Sequence, residues 1–167
     1  MSSVIERSDC GQYLLNGQLL YFCGMFSKTF GYALRATAFV AINGTDGNRV
    51  ALQDISQNLD IPHHFLGKIM QDLVRHGIMD SIKGPHGGFF ANDSTAATPL
   101  IEILKITDGS LIFDQCALNI KRCNAEHPCP LHDDFAACRN GMLKVLAIRT
   151  IGEITAQVEN GAAFLAR

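Results

Sequence analysis

Cys116, Cys123, Cys129 and His132 stand in one short stretch with the spacing C-x6-C-x5-C-P-L-H, among Asn119, Lys121, Asn124, Glu126 and His127. Thiolates and a neutral imidazole are soft or borderline donors, the kind that hold zinc, copper(I) or an iron-sulfur cluster. Pro128 and Pro130 mark the stretch as a loop, and a loop can fold such donors around one centre. The same donors fit a structural zinc of three thiolates and one imidazole. Without a metal, the thiols would be oxidation sensors or small buried apolar groups. Cys138 lies on a helical apolar stripe and reads as core, while His127, between Glu126 and Pro128, reads as a solvent-facing loop residue. A Cys129–His132 dyad would lower a thiol pKa for nucleophilic catalysis, yet nothing else in the segment supplies an oxyanion hole or a cofactor motif. A shared metal explains adjacent ligands better than a dyad does, and the chain reads as no enzyme.

Hydrophobic periodicity sets the elements that must position this stretch. From Phe26 to Ile42 the apolar residues Phe30, Ala33, Leu34, Ala38 and Ala41 recur at three and four, a helix that Asn43-Gly44-Thr45-Asp46-Gly47-Asn48 ends. Leu52, Ile55 and Leu59 share a face of a second helix of about two turns. After the turn Asn58-Leu59-Asp60, Pro62 can open a third helix, whose inner face carries Phe65, Leu66, Ile69, Met70, Leu73 and Val74 up to Gly77. Its outer face keeps His63, His64, Lys68, Gln71, Asp72 and Arg75. Ile78 to Lys83 and Phe89-Phe90-Ala91 flank Gly84-Pro85-His86-Gly87-Gly88, which predicts a β-hairpin. Helix, tight turn, helix and hairpin make a winged helix-turn-helix. Leu100 to Thr107 predicts another helix, stopped at Asp108-Gly109. Beyond the cysteines, Asp133 to about Arg149 is helical with Phe135, Cys138, Met142, Leu143, Leu146 and Ala147 along one side, and the capping-box form of Thr150-Ile151-Gly152-Glu153 restarts a last helix.

The second helix of such a pair fits the major groove and offers its early residues to base edges. Here those are His63, His64 and Lys68, with Arg75 and Lys83 placed for phosphates and the glycine-rich tip, with His86 at its apex, free to approach a backbone. Bulk charge does not carry this reading. The net charge is −2, and between Phe26 and Pro99 six Lys or Arg face six Asp, so the joint occurrence of turn, cations and wing is what points to DNA. A protein-docking winged helix is the alternative.

Ser27-Lys28 with Tyr32-Ala33-Leu34-Arg35-Ala36, Ile61-Pro62 with Phe65-Leu66-Lys68-Ile69, and Gly84-Pro85-His86-Gly87-Gly88-Phe89 resemble the Rrf2 family of bacterial transcription regulators, from Met25 to about Ile154. Asp60 stands where that family often has glycine, a position Asp tolerates because it visits the left-handed region more readily than most residues. The resemblance implies a homodimer on a palindromic double-stranded DNA operator, with Lys28 among the DNA contacts and with Phe135, Leu143 and Leu146 as candidates for the dimer seam, residues that a purely intramolecular core would also use. It implies an iron-sulfur cluster on Cys116, Cys123 and Cys129, with His132 as fourth ligand because Cys129-Pro130-Leu131-His132 reproduces the C-x2-H spacing of IscR-like members. Gly31 occupies the position of the acidic ligand in NsrR-like members, and the first cysteine interval is one residue longer than in the better-known cluster binders. The implied function is sensing of redox, nitric oxide or iron-sulfur status. A zinc-stapled or thiol-based regulator is the alternative.

The chain has 167 residues, 47% of them hydrophobic, enough to bury a core. It has no apolar run of the roughly 20 residues that span a bilayer, and its first residues lack the basic n-region and cleavage site of an export signal. Six cysteines in that setting read as reduced thiols or ligands in the cytoplasm rather than as a disulfide framework. The expected class is mainly α with a small β-hairpin wing. Residues 1–24 read as an N-terminal extension, disordered or preceding a true start at Met25; 25–99 as the winged helix-turn-helix domain; and 100–167 as the Cys-rich sensor loop and dimerisation helices.

Overall fold

A computed structural model of the chain describes residues 12–15, 18–21, 26–45, 47–109, 116, 118, 120 and 122–166. The elements run β1 (Gln12–Leu15), β2 (Gln18–Tyr21), α1 (Lys28–Asn43), α2 (Leu52–Leu59), α3 (His63–Arg75), β3 (Asp80–Ile82), β4 (Gly88–Phe90), α4 (Leu100–Asp108), α5 (His132–Ile148) and α6 (Ile151–Glu159). This is the mainly helical, hairpin-winged architecture that the periodicity implies. Within the N-terminal stretch β1 and β2 pair antiparallel, Tyr13 opposite Leu20. Cys10, Cys23, Asn119 and Lys121 lie outside the described residues.

Helix α1 is the centre of the core. Phe30, Ala33, Ala36, Thr37, Ala38 and Val40 are buried, and α2, α3, α4 and α6 all pack on it. Its alanines let neighbouring helices approach, and the buried Thr37 hydroxyl donates to the Ala33 carbonyl at 2.8 Å, so no polar group is left without a partner there. Ser27 caps the helix by accepting the Phe30 N–H at 3.1 Å. Ser27 also donates its own N–H and hydroxyl to the Asp108 carboxylate, at 2.8 and 2.5 Å, which fastens the start of α1 to the end of α4.

The helix-turn-helix is closed locally. Asp60 adopts the left-handed conformation, φ 50 and ψ 51, and is the one non-glycine with positive φ among the described residues. The Ile61 N–H reaches back to the Ser56 carbonyl at 3.1 Å, and the Ser56 hydroxyl donates to the Ile61 carbonyl at 2.7 Å. Pro62 sits just before α3 as its N-cap residue, one position earlier than a first-turn proline. Arg35 braces the turn from α1, donating to the Leu59 carbonyl and, through Nε, to the Leu165 carbonyl at 2.5 Å.

In the wing, β3 and β4 pair antiparallel with Ser81 opposite Phe89. Val50 exchanges two hydrogen bonds of 2.9 Å with Phe89, adding a third line of backbone. A Cβ on Gly87 would stand 2.2 Å from the Ile82 carbonyl oxygen, so the tip closes only around a glycine. Below the wing, α5 and α6 meet at Arg149–Thr150. Thr150 forms a capping box with Glu153, and the segment leaving the wing is stitched to this joint: Leu100 N–H to Arg149 O at 2.9 Å, Ile151 N–H to Thr98 O at 3.0 Å and Gly152 N–H to Ala96 O at 2.8 Å. Leu146 of α5 belongs to the same buried cluster as Leu100, Ile103, Leu104 and Ile151. No helix among the described residues is long and apolar enough to cross a membrane.

Candidate metal centre and nucleic-acid interface

The irregular cysteine stretch winds into α5 at its end, where the His132 N–H donates to the Cys129 carbonyl at 3.0 Å. Cys116 Sγ and Cys129 Sγ stand 3.9 Å apart, and Cys123 Sγ lies 3.3 Å from His132 Nδ1. All four line one cavity of about 280 Å³, with Arg122 and His127. The thiols are free, since a disulfide needs sulfurs about 2.05 Å apart. Among the described residues no three Cys, His, Asp or Glu side chains already stand where they could hold one ion; the donors form two pairs on a shared cavity.

Cys116 is 6% exposed, and its thiol is held below its ordinary pKa. The Ile120 amide N–H is the largest cause and the Leu118 amide the next; burial opposes them, while the Cys129 thiol and the Arg139 charge add to them. Hydrogen bonds and positive charge favour the thiolate, which is the form that binds metal. Cys138 is exposed rather than core. It lies about 140° round the helix from Leu143, which packs on the core. His127 is exposed, as expected of a loop residue. The three residues expected at a dimer seam separate. Leu146 is buried at 8% and Leu143 packs against the core, whereas Phe135 is exposed. The outward apolar face of α5 instead carries Phe135, Val145 and Ile148, the last two 56% and 62% exposed, with the exposed Cys138 and Gly141 between them.

At the other end of the molecule, His63 and His64 open α3 and Lys68 follows a turn later, all three exposed. Lys83, which follows β3, and His86 at the wing tip are exposed as well. Arg75 is exposed and donates to Asp72 at 2.9 Å. Lys28, the first residue of α1, joins Lys68, Tyr32 and Phe65 around a second cavity, of about 660 Å³. Phe65 departs from its expected place on the inner face of α3. It is 57% exposed and its ring lies 4.3 Å from that of His64, because Leu66, Ile69, Met70 and Leu73 fill the buried stripe and Phe65 falls at its margin. Arg49 is a further exposed cation that periodicity does not find. Its guanidinium donates to the His86 carbonyl at 3.4 Å, and its one sequence signal is its place just before Val50, the residue that pairs with the wing.

Exposed histidines and cations on the second helix of a turn, a glycine-closed wing, and a thiol and imidazole cavity at the root of a long helix together define a winged-helix transcription regulator. The match to known proteins gives the family. A model described as Rrf2, iron-dependent transcriptional regulator, matches residues 26–157, and the chain belongs to that family. One relative, named as a helix-turn-helix-type transcriptional regulator of Aquifex aeolicus, is 32% identical over 110 residues, which is 65% of this chain and 75% of the relative. The structure of CymR, the global cysteine regulator of B. subtilis, superposes with a TM-score of 0.64 at 18% identity, covering 78% of this chain and 95% of CymR. IscR of T. potens gives a TM-score of 0.62 at 17% identity, over 83% and 90% of the two chains. Family membership makes the chain a DNA-binding regulator and sets aside the Cys129–His132 enzyme reading.

Proposed function

We propose that the chain is a cytoplasmic, homodimeric regulator that reads a palindromic operator and holds an iron-sulfur cluster on Cys116, Cys123, Cys129 and His132. The observation that carries this reading is the convergence of those four donors on one cavity where α5 begins. Two pairs suit a binuclear cluster, in which each iron takes two protein ligands, better than they suit one tetrahedral zinc. A bound cluster would supply one-electron redox chemistry and sensitivity to oxygen and nitric oxide. The likeness to a protein named IscR supports the same reading. On the DNA side, His63, His64 and Lys68 face base edges, and Lys28, Arg75, Lys83 and His86 face phosphates. The exposed Arg75–Asp72 pair is worth about 1 kcal/mol or less, so phosphate can readily replace the carboxylate. The apolar outer face of α5 supports the dimer.

A second reading has its own support. Cys116 and Cys129 are close, the Cys116 thiol is held low, and a structural neighbour is named for cysteine regulation. In that case the pair senses oxidation by closing to a disulfide.

Protein purified without oxygen separates these readings by its iron, acid-labile sulfide and zinc per chain. Iron with matching sulfide and visible charge-transfer bands is the expected result. Zinc without sulfide makes the four residues a structural staple. Metal-free protein that forms a Cys116–Cys129 disulfide under mild oxidant belongs to the thiol reading. Operator affinity at fixed salt should then change at least about tenfold between holo and apo protein, and equal affinities would sink the sensing role.

A further inference from the structure

The cavity of about 660 Å³ between α1, α3 and α4 is of the size that holds a small molecule. Its walls are largely apolar: Tyr32 of α1, Phe65 of α3 and Ile106 of α4 all line it. Lys28 and Lys68 line the same cavity, and among the described residues neither ammonium has a carboxylate within ion-pair reach. The acidic group among the lining residues, Asp72, is already engaged, accepting from Arg75 at 2.9 Å. The Tyr32 hydroxyl likewise has no hydrogen-bond partner among the described residues. Two unpaired cations beside aromatic and aliphatic walls select a ligand that is anionic at one end and apolar at the other. A DNA phosphate answers only half of that demand, because it meets the cations and leaves Phe65, 57% exposed, in water. An organic carboxylate with an aromatic body answers both halves: the body covers Phe65 and Ile106, and the carboxylate accepts from the lysines and Tyr32.

We infer that this cavity binds a small aromatic carboxylate, and that the bound ligand weakens operator binding by occupying Lys28 and Lys68. Binding needs only the cavity; its effect on DNA rests on the proposed placement of those two lysines against phosphate and base. A carboxylate that pairs with the ammonium groups withdraws them from the polyanion, so the two ligands compete. Ligand at about ten times its dissociation constant then lowers apparent operator affinity about tenfold. Such a signal reaches the reading head directly, with no change at the cysteine cavity.

The probe is cinnamate, with uncharged cinnamamide as its control, added to the full-length protein without DNA and followed by calorimetry and saturation-transfer NMR. Cinnamate should bind with a dissociation constant of about 1 mM, about fivefold tighter than the amide. Lys28→Gln and Lys68→Gln should each weaken it about threefold, and Tyr32→Phe less. Ile106→Trp, which fills the cavity, should abolish it and leave operator affinity without probe unchanged. At constant ionic strength, near-saturating cinnamate should lower wild-type operator affinity about tenfold, and the amide should not. Equal binding of the two compounds, or cinnamate binding that the lysine variants and Ile106→Trp leave unchanged, overturns the site. Binding that appears only after Val145→Arg has broken the dimer also overturns it and gives the cavity to a second copy. A probe that binds as expected without moving operator affinity keeps the site and overturns the competition. Lys68→Glu, measured without probe, tests the DNA-facing assignment by itself, so its failure is distinguishable from failure of the site.

Discussion

Helices α3 and α5 are of similar size, 13 and 17 residues, and each has an inside and an outside, but the outsides differ in kind. Helix α3 buries Leu66, Ile69, Met70 and Leu73 and turns His63, His64, Lys68 and Arg75 outward. Helix α5 sends Leu146 into the core and leaves Phe135, Val145 and Ile148 in solvent. A solvated outer face with cations suits a polyanion. A run of exposed apolar side chains on one helix face marks a protein contact, and a face repeated on each copy of the chain is what a two-fold dimer requires. Under the proposed function the two helices divide the work: one meets DNA, the other meets a second copy.

The sharpest way to break this division is to charge the outer face of α5. Val145→Arg should convert the dimer to a monomer in sedimentation and weaken operator binding about 100-fold, since linked half-sites lose their effective concentration, while iron and sulfide per chain stay unchanged. Next in size is Arg35→Met, which removes two charge-assisted hydrogen bonds from under the turn that aims α3. It should lower stability by about 2 kcal/mol, about 6 °C in Tm, and leave the metal content of the α5 end intact. Lys68→Glu acts on the outer face of α3 alone. Operator affinity should fall at least about tenfold and discrimination between operator and unrelated DNA should relax, with dimer and metal content unmoved. Smallest is Asp60→Gly, which relieves left-handed strain at the turn against the entropy that glycine loses on folding. Thermal melting should rise by about 1–2 °C, because the strain slightly exceeds that entropy.

The reading head was legible where periodicity and local stereochemistry decide the outcome. Leu66, Ile69, Met70 and Leu73 are spaced so that no other face could be buried, and the left-handed Asp60 and the glycine-rich tip are local features. Phe65 was not legible, because whether the margin of a stripe is covered depends on neighbours distant in sequence. Arg49 was missed for a related reason, its contact with His86 spanning 37 residues. The candidate metal donors were legible by type, but a loop has no period and hence no register, so the pairing of Cys116 with Cys129 and of Cys123 with His132 comes only from the structure. In α5 the side chains that looked like one stripe proved to be two: Leu146, a candidate for the dimer seam, lies in the core, and Cys138, expected in the core, is exposed.

The stitched joint at Arg149–Thr150 makes α5 a lever. At 1.5 Å per residue its 17 residues give an arm of about 25 Å, with the candidate donor His132 at the far end and the fulcrum where three main-chain hydrogen bonds grip the segment that leaves the wing. A 1 Å displacement of His132 would turn such an arm by only about 2°, but a force applied at that end exerts a moment about the pivot that grows with the length of the arm. Under the proposed sensing role, what the wing end would receive from a change in the cavity is torque rather than travel.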